Sequence, residues 1–299
     1  MSLVPIRINV PSPAVAPGRE VVAFAHRARR ADPAAPRRAA LILNPFGQEA
    51  VRTHRLLRVA ADRLARQGID VLRFDYYGSG DSPGTDLQAD LRGWVADTLA
   101  AHQMLAEFSG AEQITWLGIR LGASVALLAA GDDALAASRP PARLVLWNPV
   151  LDGKAHLQAL AADHRRALQT TYSVPREPAR LIRAFDTQWP PTELLGMAVA
   201  PAMAAQIEAL SGEALAVAVP RIELLTQEAG RCQASAASAA ADPRHESAWR
   251  QACIARGVSF GEQRITSEFD WTSEEALNTA LVPADAINAV LNAVTAEIT

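Results

Sequence analysis

The sequence predicts an α/β protein built on a mostly parallel sheet, and three observations predict it. Short apolar, β-branched runs alternate with amphipathic helical stretches along most of the 299 residues, the pattern of strands joined by crossover helices. Turns carrying glycine or proline stand where runs end, at 44–47, 78–84 and 118–122. The alternation breaks once, over 152–219, and then resumes.

The elements follow in order. Residues 4–10 alternate loosely, 20–26 are apolar with β-branched valines, and 41–43 form a short buried strand ending at Asn44-Pro45-Phe46-Gly47. Over 50–67, Leu56, Leu57, Ala60 and Leu64 share one helical face and Gly68 follows as a stop. A strand at 71–74 runs into a turn with Gly78, Gly80, Pro83 and Gly84. Residues 89–108 place Leu91, Trp94, Val95, Leu99, Met104 and Leu105 at helical spacing. A strand at 114–117, an Ala/Leu-rich helix at 120–130 and a strand at 144–147 complete the first part of a core, residues 1–151. Residues 152–219, with Pro175, Pro178, Pro190 and Pro191, read as a mostly helical lid over the carboxyl edge of the sheet. The second part of the core, 220–299, begins with a strand at 221–225 and passes through a Ser/Ala-rich stretch at 234–242. A helix at 246–256, a strand at 258–265 and a closing helix at 284–298 follow.

Composition excludes several classes. With 49% hydrophobic and 20% charged residues, neither a disordered nor a fibrous protein fits. A net charge of -3 argues against a broad basic surface and hence against a nucleic-acid partner. Two cysteines, Cys232 and Cys253, are too few for a disulfide framework and point to a reducing, cytoplasmic compartment. The first ten residues have no apolar run of the secretory kind, and the longest apolar stretches, such as 125–130, are far too short to span a membrane. No His/Cys/Asp cluster has metal-ligand spacing, and Gly78-x-Gly80 lacks the third glycine of a dinucleotide fingerprint, so no metal and no cofactor are expected. A homo-oligomer is left open.

The residues that carry chemistry lie at the strand ends. Gly118-Ile119-Arg120-Leu121-Gly122, between a strand and a helix, is the frame of the G-x-S-x-G nucleophile elbow of α/β-hydrolases. Asp75-Tyr76-Tyr77-Gly78-Ser79-Gly80-Asp81-Ser82 resembles the D-x-x-G-x-G-x-S turn of serine aminopeptidase-type hydrolases, and Asn44-Pro45-Phe46-Gly47 stands where their oxyanion loop belongs. The expected architecture is therefore an α/β-hydrolase fold with a helical lid between the sixth and seventh core strands.

The tip of this elbow is Arg120, not a nucleophile. A guanidinium has no available lone pair and stays protonated, so it neither attacks nor acts as a base. Ser124, one turn on, is expected beside the sheet and not above it. The loop after the last strand, Ser267-Glu268-Phe269-Asp270-Trp271-Thr272, holds no histidine, and the acid position offers Gln227 and Glu228. At most one triad member remains. Arg120 either pairs internally, with Glu228, Asp270 or Glu49, or binds an anionic ligand, and the internal pair is preferred because acids occupy two of the triad loops. Backbone donors survive any side-chain change, so the Leu121 N–H and the loop at Phe46-Gly47 could still hold an oxyanion. His156 is read first as a solvated histidine of the lid and second as a group overhanging the site. His54 is read as a surface residue, and Trp94, Trp147 and Trp189 as packing.

Most of the chain, from Asn44 onward, resembles the exosortase A system-associated hydrolase 2 family. The resemblance rests on Pro45-Phe46-Gly47-Gln48-Glu49 with Arg55, on Asp75 to Ser82, and on Gly118-Ile119-Arg120-Leu121-Gly122-Ala123, which is similar to that family's G-L-R-L-G-A elbow. Leu144-Val145-Leu146-Trp147-Asn148-Pro149-Val150 with Gly153-Lys154 and His156-Leu157, and more loosely Phe269-Asp270-Trp271-Thr272, extend it. Gln48 departs from it, standing where the family has an acid. The resemblance implies that arginine at the elbow is a family trait and that the pathway is bacterial exopolysaccharide production.

The leading expectation is a hydrolase-fold protein without Ser-His-Asp chemistry. It binds a small acylated or anionic molecule under the lid, with Phe46, Gly47, Glu49, Arg120 and Leu121 lining the site. Two alternatives stay open. One is an active hydrolase or acyl transferase with Glu228, Asp270 or His156 as base and Arg120 in the site. The other is an inert partner in a biosynthetic complex.

Overall fold

A computed structural model describes residues 3–11, 17–29, 35–136, 140–171, 180, 189–227, 243–267, 271–272 and 282–296. Eight strands form one sheet: β1 (Leu3–Asn9), β2 (Glu20–His26), β3 (Arg38–Leu43), β4 (Ile69–Phe74), β5 (Gln113–Ile119), β6 (Arg143–Trp147), β9 (Arg221–Gln227) and β10 (Ser259–Ile265). Their spatial order is β1-β2-β4-β3-β5-β6-β9-β10. The β1–β2 and β2–β4 pairs are antiparallel, and every later pair is parallel.

The inner strands read as continuous apolar runs because both of their faces are covered. In β3, Ala39, Leu41 and Leu43 pack into one core layer while Ala40 and Ile42 pack into the other. Likewise Leu144 and Leu146 of β6 enter the first layer, and Val145 and Trp147 the second. The helices α1 (Gln48–Arg66) and α8 (Ala284–Thr295) cover the second layer. On the opposite face lie α2 (Leu91–Ser109) and α3 (Leu121–Ala130). Arg38 and Arg143 tie α8 to the sheet by donating to carbonyls of its last turn, Arg38 to Val294 at 3.0 Å and Arg143 to Ala293 at 2.9 Å, where the helix dipole favours a cation. Strand β3 starts at Arg38, three residues before the predicted start, because this polar residue finds its partners at that helix end.

Between β6 and β9, where the sequence rhythm breaks, lie α5 (Gly153–Thr171), a short antiparallel hairpin of β7 (Glu193–Leu194) and β8 (Met197–Ala198), and α6 (Pro201–Glu208). The mostly helical expectation missed this hairpin, whose strands are two residues each. A short helix, α4 (Asp133–Ala136), precedes β6, and α7 (Pro243–Ile254) precedes β10. Among the described residues no helix is long and apolar enough to cross a membrane. The Ser/Ala-rich stretch 234–242 lies outside the described residues.

Candidate functional site

The elbow is formed as its glycines require. A Cβ on Gly118 would lie 2.6 Å from Ala123 Cα, and one on Gly122 would overlap the Asn44 carbonyl oxygen. Strand, helix and oxyanion loop therefore approach more closely than any larger residue permits. Between these glycines Arg120 caps α3 with φ 52° and ψ −120°, a region costing a non-glycine residue on the order of 1–3 kcal/mol. The Arg120 N–H donates to the Trp147 carbonyl at 2.9 Å, fixing the turn to β6. Ser124 is buried against that strand's exit, its hydroxyl donating to the Val150 carbonyl at 2.6 Å.

The Arg120 side chain lies buried above the elbow, 6% exposed. Its Nε donates to Oε1 of Glu49 at 3.1 Å, and its guanidinium carbon stands 5.6 Å from the Trp271 ring centre. Glu49 is 0% exposed and sits in the first turn of α1, where the helix dipole favours an acid. Burial pushes its carboxyl above the usual range. The Arg120 charge and hydrogen bond oppose that shift, and the nearby Asp163 adds to it. Its second oxygen, Oε2, is buried with no hydrogen-bond partner among the described residues.

His156 corrects the solvated reading: it is 6% exposed. Leu157, Leu160, Ala161 and His164 of α5 are buried with it, so this helix turns an apolar face inward and carries His156 along. Burial, and then the Arg120 charge, hold its imidazole well below the usual value, which favours the neutral form. Its Nε2 has no partner among the described residues. Two turns along the same helix, Asp163 accepts from the Thr272 hydroxyl at 2.8 Å and from Arg166 at 3.1 Å. Trp271 packs edge-on against Trp147, ring centres 5.3 Å apart. Sequence reasoning missed Asp163. The signal was present as a charged residue seven positions after His156, on the face that α5 buries.

The triad positions hold other chemistry. Gln227 ends β9, its N–H donating to Asn148 Oδ1 at 3.2 Å and its side chain to the Ser267 carbonyl at 2.9 Å. The candidates Glu228 and Asp270 lie outside the described residues. No group at the elbow tip can attack a carbonyl.

A cavity of about 390 Å³ opens beside the elbow. Phe46 and Gly47 of the oxyanion loop form one wall, with Ala50, Val51 and His54 of α1. Met197, Val199 and Met203 face them from the segment between β6 and β9, and Trp94 lies at the α2 side. The 75–81 turn supplies Asp75 and Asp81, and Asp86 follows. Asp75 accepts from Asn44 Nδ2 and from the Asp81 N–H, both at 3.0 Å, and burial pushes its carboxyl up. Ser82 ties the same turn to β2 by accepting from the Val22 N–H at 2.8 Å. Of the five residues expected to line a ligand site, Phe46 and Gly47 line this cavity. Glu49, Arg120 and Leu121 are buried beside it and are not among its lining residues. Trp94 is core and cavity wall at once, stacked on Tyr76 at 4.2 Å.

Comparison with known proteins fits this frame. The family model for serine aminopeptidase, S33, matches residues 34–246, more than half of the chain. The chain belongs to the serine aminopeptidase S33 family. Two uncharacterised proteins of Mycobacterium tuberculosis are 36% identical over 118 residues, a stretch covering 36% of this chain and 39% of theirs. The match therefore spans well under half of these relatives. The family's fold recurs in solved structures. A carboxyl esterase from Bacillus coagulans in complex with glycerol superposes with a TM-score of 0.60 at 11% identity, covering 100% of both chains. DcsB in complex with its substrate analogue gives 0.58 at 16%, covering 99% of this chain and 100% of its own. Est1E of Butyrivibrio proteoclasticus with ferulic acid gives 0.57 at 14%, covering 96% of each. At these identities the likeness is one of fold.

Proposed function

We propose that this S33-family protein binds a small acylated molecule in the cavity between Phe46 and Met203, without covalent Ser-His-Asp chemistry. The observation that carries the reading is Arg120, held at the elbow tip in the nucleophile's backbone geometry with its guanidinium bonded to Glu49. An ion-paired guanidinium offers no lone pair to an acyl carbon. The adjacent cavity offers a mostly apolar wall of Phe46, Trp94, Met197, Val199 and Met203, the lining that suits an acyl chain.

Of the two ligand classes expected, the acylated one suits the lining better than the anionic one. Asp75, Asp81 and Asp86 face the cavity, and the Arg120 charge is already matched by Glu49. The lid read at 152–219 contributes Met197, Val199 and Met203 to this cavity. An open cavity speaks against an inert partner protein. The resemblance to exosortase-associated hydrolases supports a cytoplasmic role in bacterial exopolysaccharide biosynthesis. The enzymatic alternative draws on the neutral, buried His156 near the elbow.

Calorimetric titration with a panel of short- and long-chain acyl esters and thioesters tests this reading. Binding by the wild-type chain is expected to fall at least tenfold in Val199→Trp, which fills the cavity. A panel that fails to bind, or binding untouched by Val199→Trp, refutes it.

A further inference from the structure

Two polar atoms beside Arg120 have no hydrogen-bond partner among the described residues. They are Glu49 Oε2 and His156 Nε2, on side chains 0% and 6% exposed. Glu49 is joined to Arg120 through its other oxygen, and His156 lies within reach of the guanidinium's charge. Leaving such atoms bare in the interior is costly, and native structures seldom do so. An ordered water or a ligand is the usual occupant of such a place.

We infer that Glu49 Oε2 and His156 Nε2 face a closed polar site above the elbow that holds one hydroxyl-sized group, either a water molecule or a ligand hydroxyl. The inventory of donors sets this class. An ionised Oε2 only accepts, so the occupant must donate a proton to it. The Nε2 of a neutral imidazole donates or accepts according to tautomer, and a hydroxyl or water, being both donor and acceptor, serves either form. A carboxylate or phosphate brings no proton and meets the Glu49 charge. An ammonium meets the guanidinium of Arg120. An apolar group leaves both atoms bare. Glu49 lies two residues after Gly47 and next to Ala50, both of which line the cavity. The oxyanion loop and the first turn of α1 thus join the site to the cavity along the chain. The site itself rests on the two bare atoms and stands whether or not an acyl ligand uses the cavity.

A crystal structure of the full chain is the first test, with ordered density expected between the two atoms. The second is the melting temperature of His156→Leu, of nearly equal volume and without polar atoms. With an occupant bridging to Glu49, His156→Leu lowers it, and His156→Leu combined with Glu49→Gln loses less than the sum of the two single changes. Should His156→Leu not fold, His156→Gln, which keeps a polar end, is expected to melt close to wild type. An elbow without density, together with a His156→Leu that melts higher than wild type, overturns the inference. Titration with 2-hydroxyethyl octanoate and ethyl octanoate separates the two sources. A preference of about tenfold for the hydroxylated ester, lost in His156→Leu, assigns a ligand hydroxyl. Equal affinities with the density retained assign water. If neither ester binds but the density is present, the cavity reading loses its support and the polar site keeps its own.

Discussion

Breaking the Arg120–Glu49 pair is the sharpest perturbation available, because its two halves are expected to fail differently. Both side chains are buried and joined at 3.1 Å. At an effective dielectric of about 20, two unit charges at that distance attract by about 5 kcal/mol, and desolvation offsets much of this. Removing one partner exposes the penalty on the other, about 3–5 kcal/mol for a buried pair. In Glu49→Gln the survivor is a guanidinium, which cannot shed its charge. It also sits at the N-terminus of α3, where the helix dipole opposes a cation. The cost is expected at every pH from about 4 to 8, a fall in melting temperature on the order of 5–8 °C for a chain of this length.

In Arg120→Met the survivor is Glu49, which can take up a proton. Its folded-state value is already raised by burial, and loss of Arg120 removes the charge that opposes the rise. A raised folded-state value means that the native state binds the proton more tightly than the unfolded chain. Stability is therefore fully present below the ordinary carboxylate range and is lost as pH rises through the folded-state value. Arg120→Met is expected to approach wild type near pH 4 and to fall away towards neutrality, while Glu49→Gln stays low throughout. Glu49→Leu combined with Arg120→Met removes both charges and is expected to recover most of the loss. Urea denaturation followed across this pH range measures all three. A Glu49→Gln chain within about 0.5 kcal/mol of wild type, or a double variant no better than the worse single, would refute a buried, energetically coupled pair.

Three further outcomes follow from the same geometry. Arg120→Ser restores a hydroxyl to the elbow tip but no histidine to the loop at 267–272, so turnover of 4-nitrophenyl esters is expected to stay at background. A rate gain above wild type would show that His156 or a carboxylate serves as base. Gly122→Ala drives a methyl group into the Asn44 carbonyl oxygen and is expected to cost about 3 kcal/mol, read by thermal unfolding. Asp285, at the start of α8, is held down at about 2: its slight burial works against this, and hydrogen bonds from Ser267 and Thr266 outweigh it. Its stabilising effect is present above the ordinary aspartate value and is lost as pH falls from about 4 to 2. Because it is partly exposed, Asp285→Asn should cost less than about 1 kcal/mol and flatten the acid limb of the stability profile.

The fold was legible where burial is two-sided. Strands β3 to β6 are short apolar runs ended by glycine or proline turns, and such runs have few other readings. The elbow was legible from Gly118 and Gly122, since the contacts a Cβ would make there leave no alternative residue. Legibility stopped where distance decides. Spacing alone left three acids as partners for Arg120, and the described structure pairs it with Glu49. Glu49 follows the oxyanion loop, which reaches Arg120 only because β3 and β5 are neighbours in the sheet. His156 was misread because an amphipathic helix of a lid looks alike whether its apolar face meets solvent-covered segments or the elbow itself. Thr272 and Asp163 are joined across 109 positions, which no local pattern shows.

The elbow geometry argues for what this arrangement preserves. A residue with φ of 52° bears strain that a neutral loop would relax, and the cation adds an unfavourable interaction with the helix dipole. Contacts among the described residues hold it there all the same, including the Trp147 carbonyl on its N–H, Glu49 on its Nε and the Trp271 ring beside its guanidinium. With that large side chain in place, the nucleophile's own position at the elbow tip is taken. A cavity opens between Phe46 and Gly47 on one side and Met197, Val199 and Met203 on the other. Under the proposed function Arg120 is a plug that closes the covalent route beside that cavity. On this reading a small residue at position 120 should enlarge the cavity towards the elbow, and a xenon-derivatised crystal of Arg120→Ala should show xenon between Phe46 and Leu121. Xenon confined to the Met203 side would mean that the oxyanion loop, not Arg120, keeps the two spaces apart.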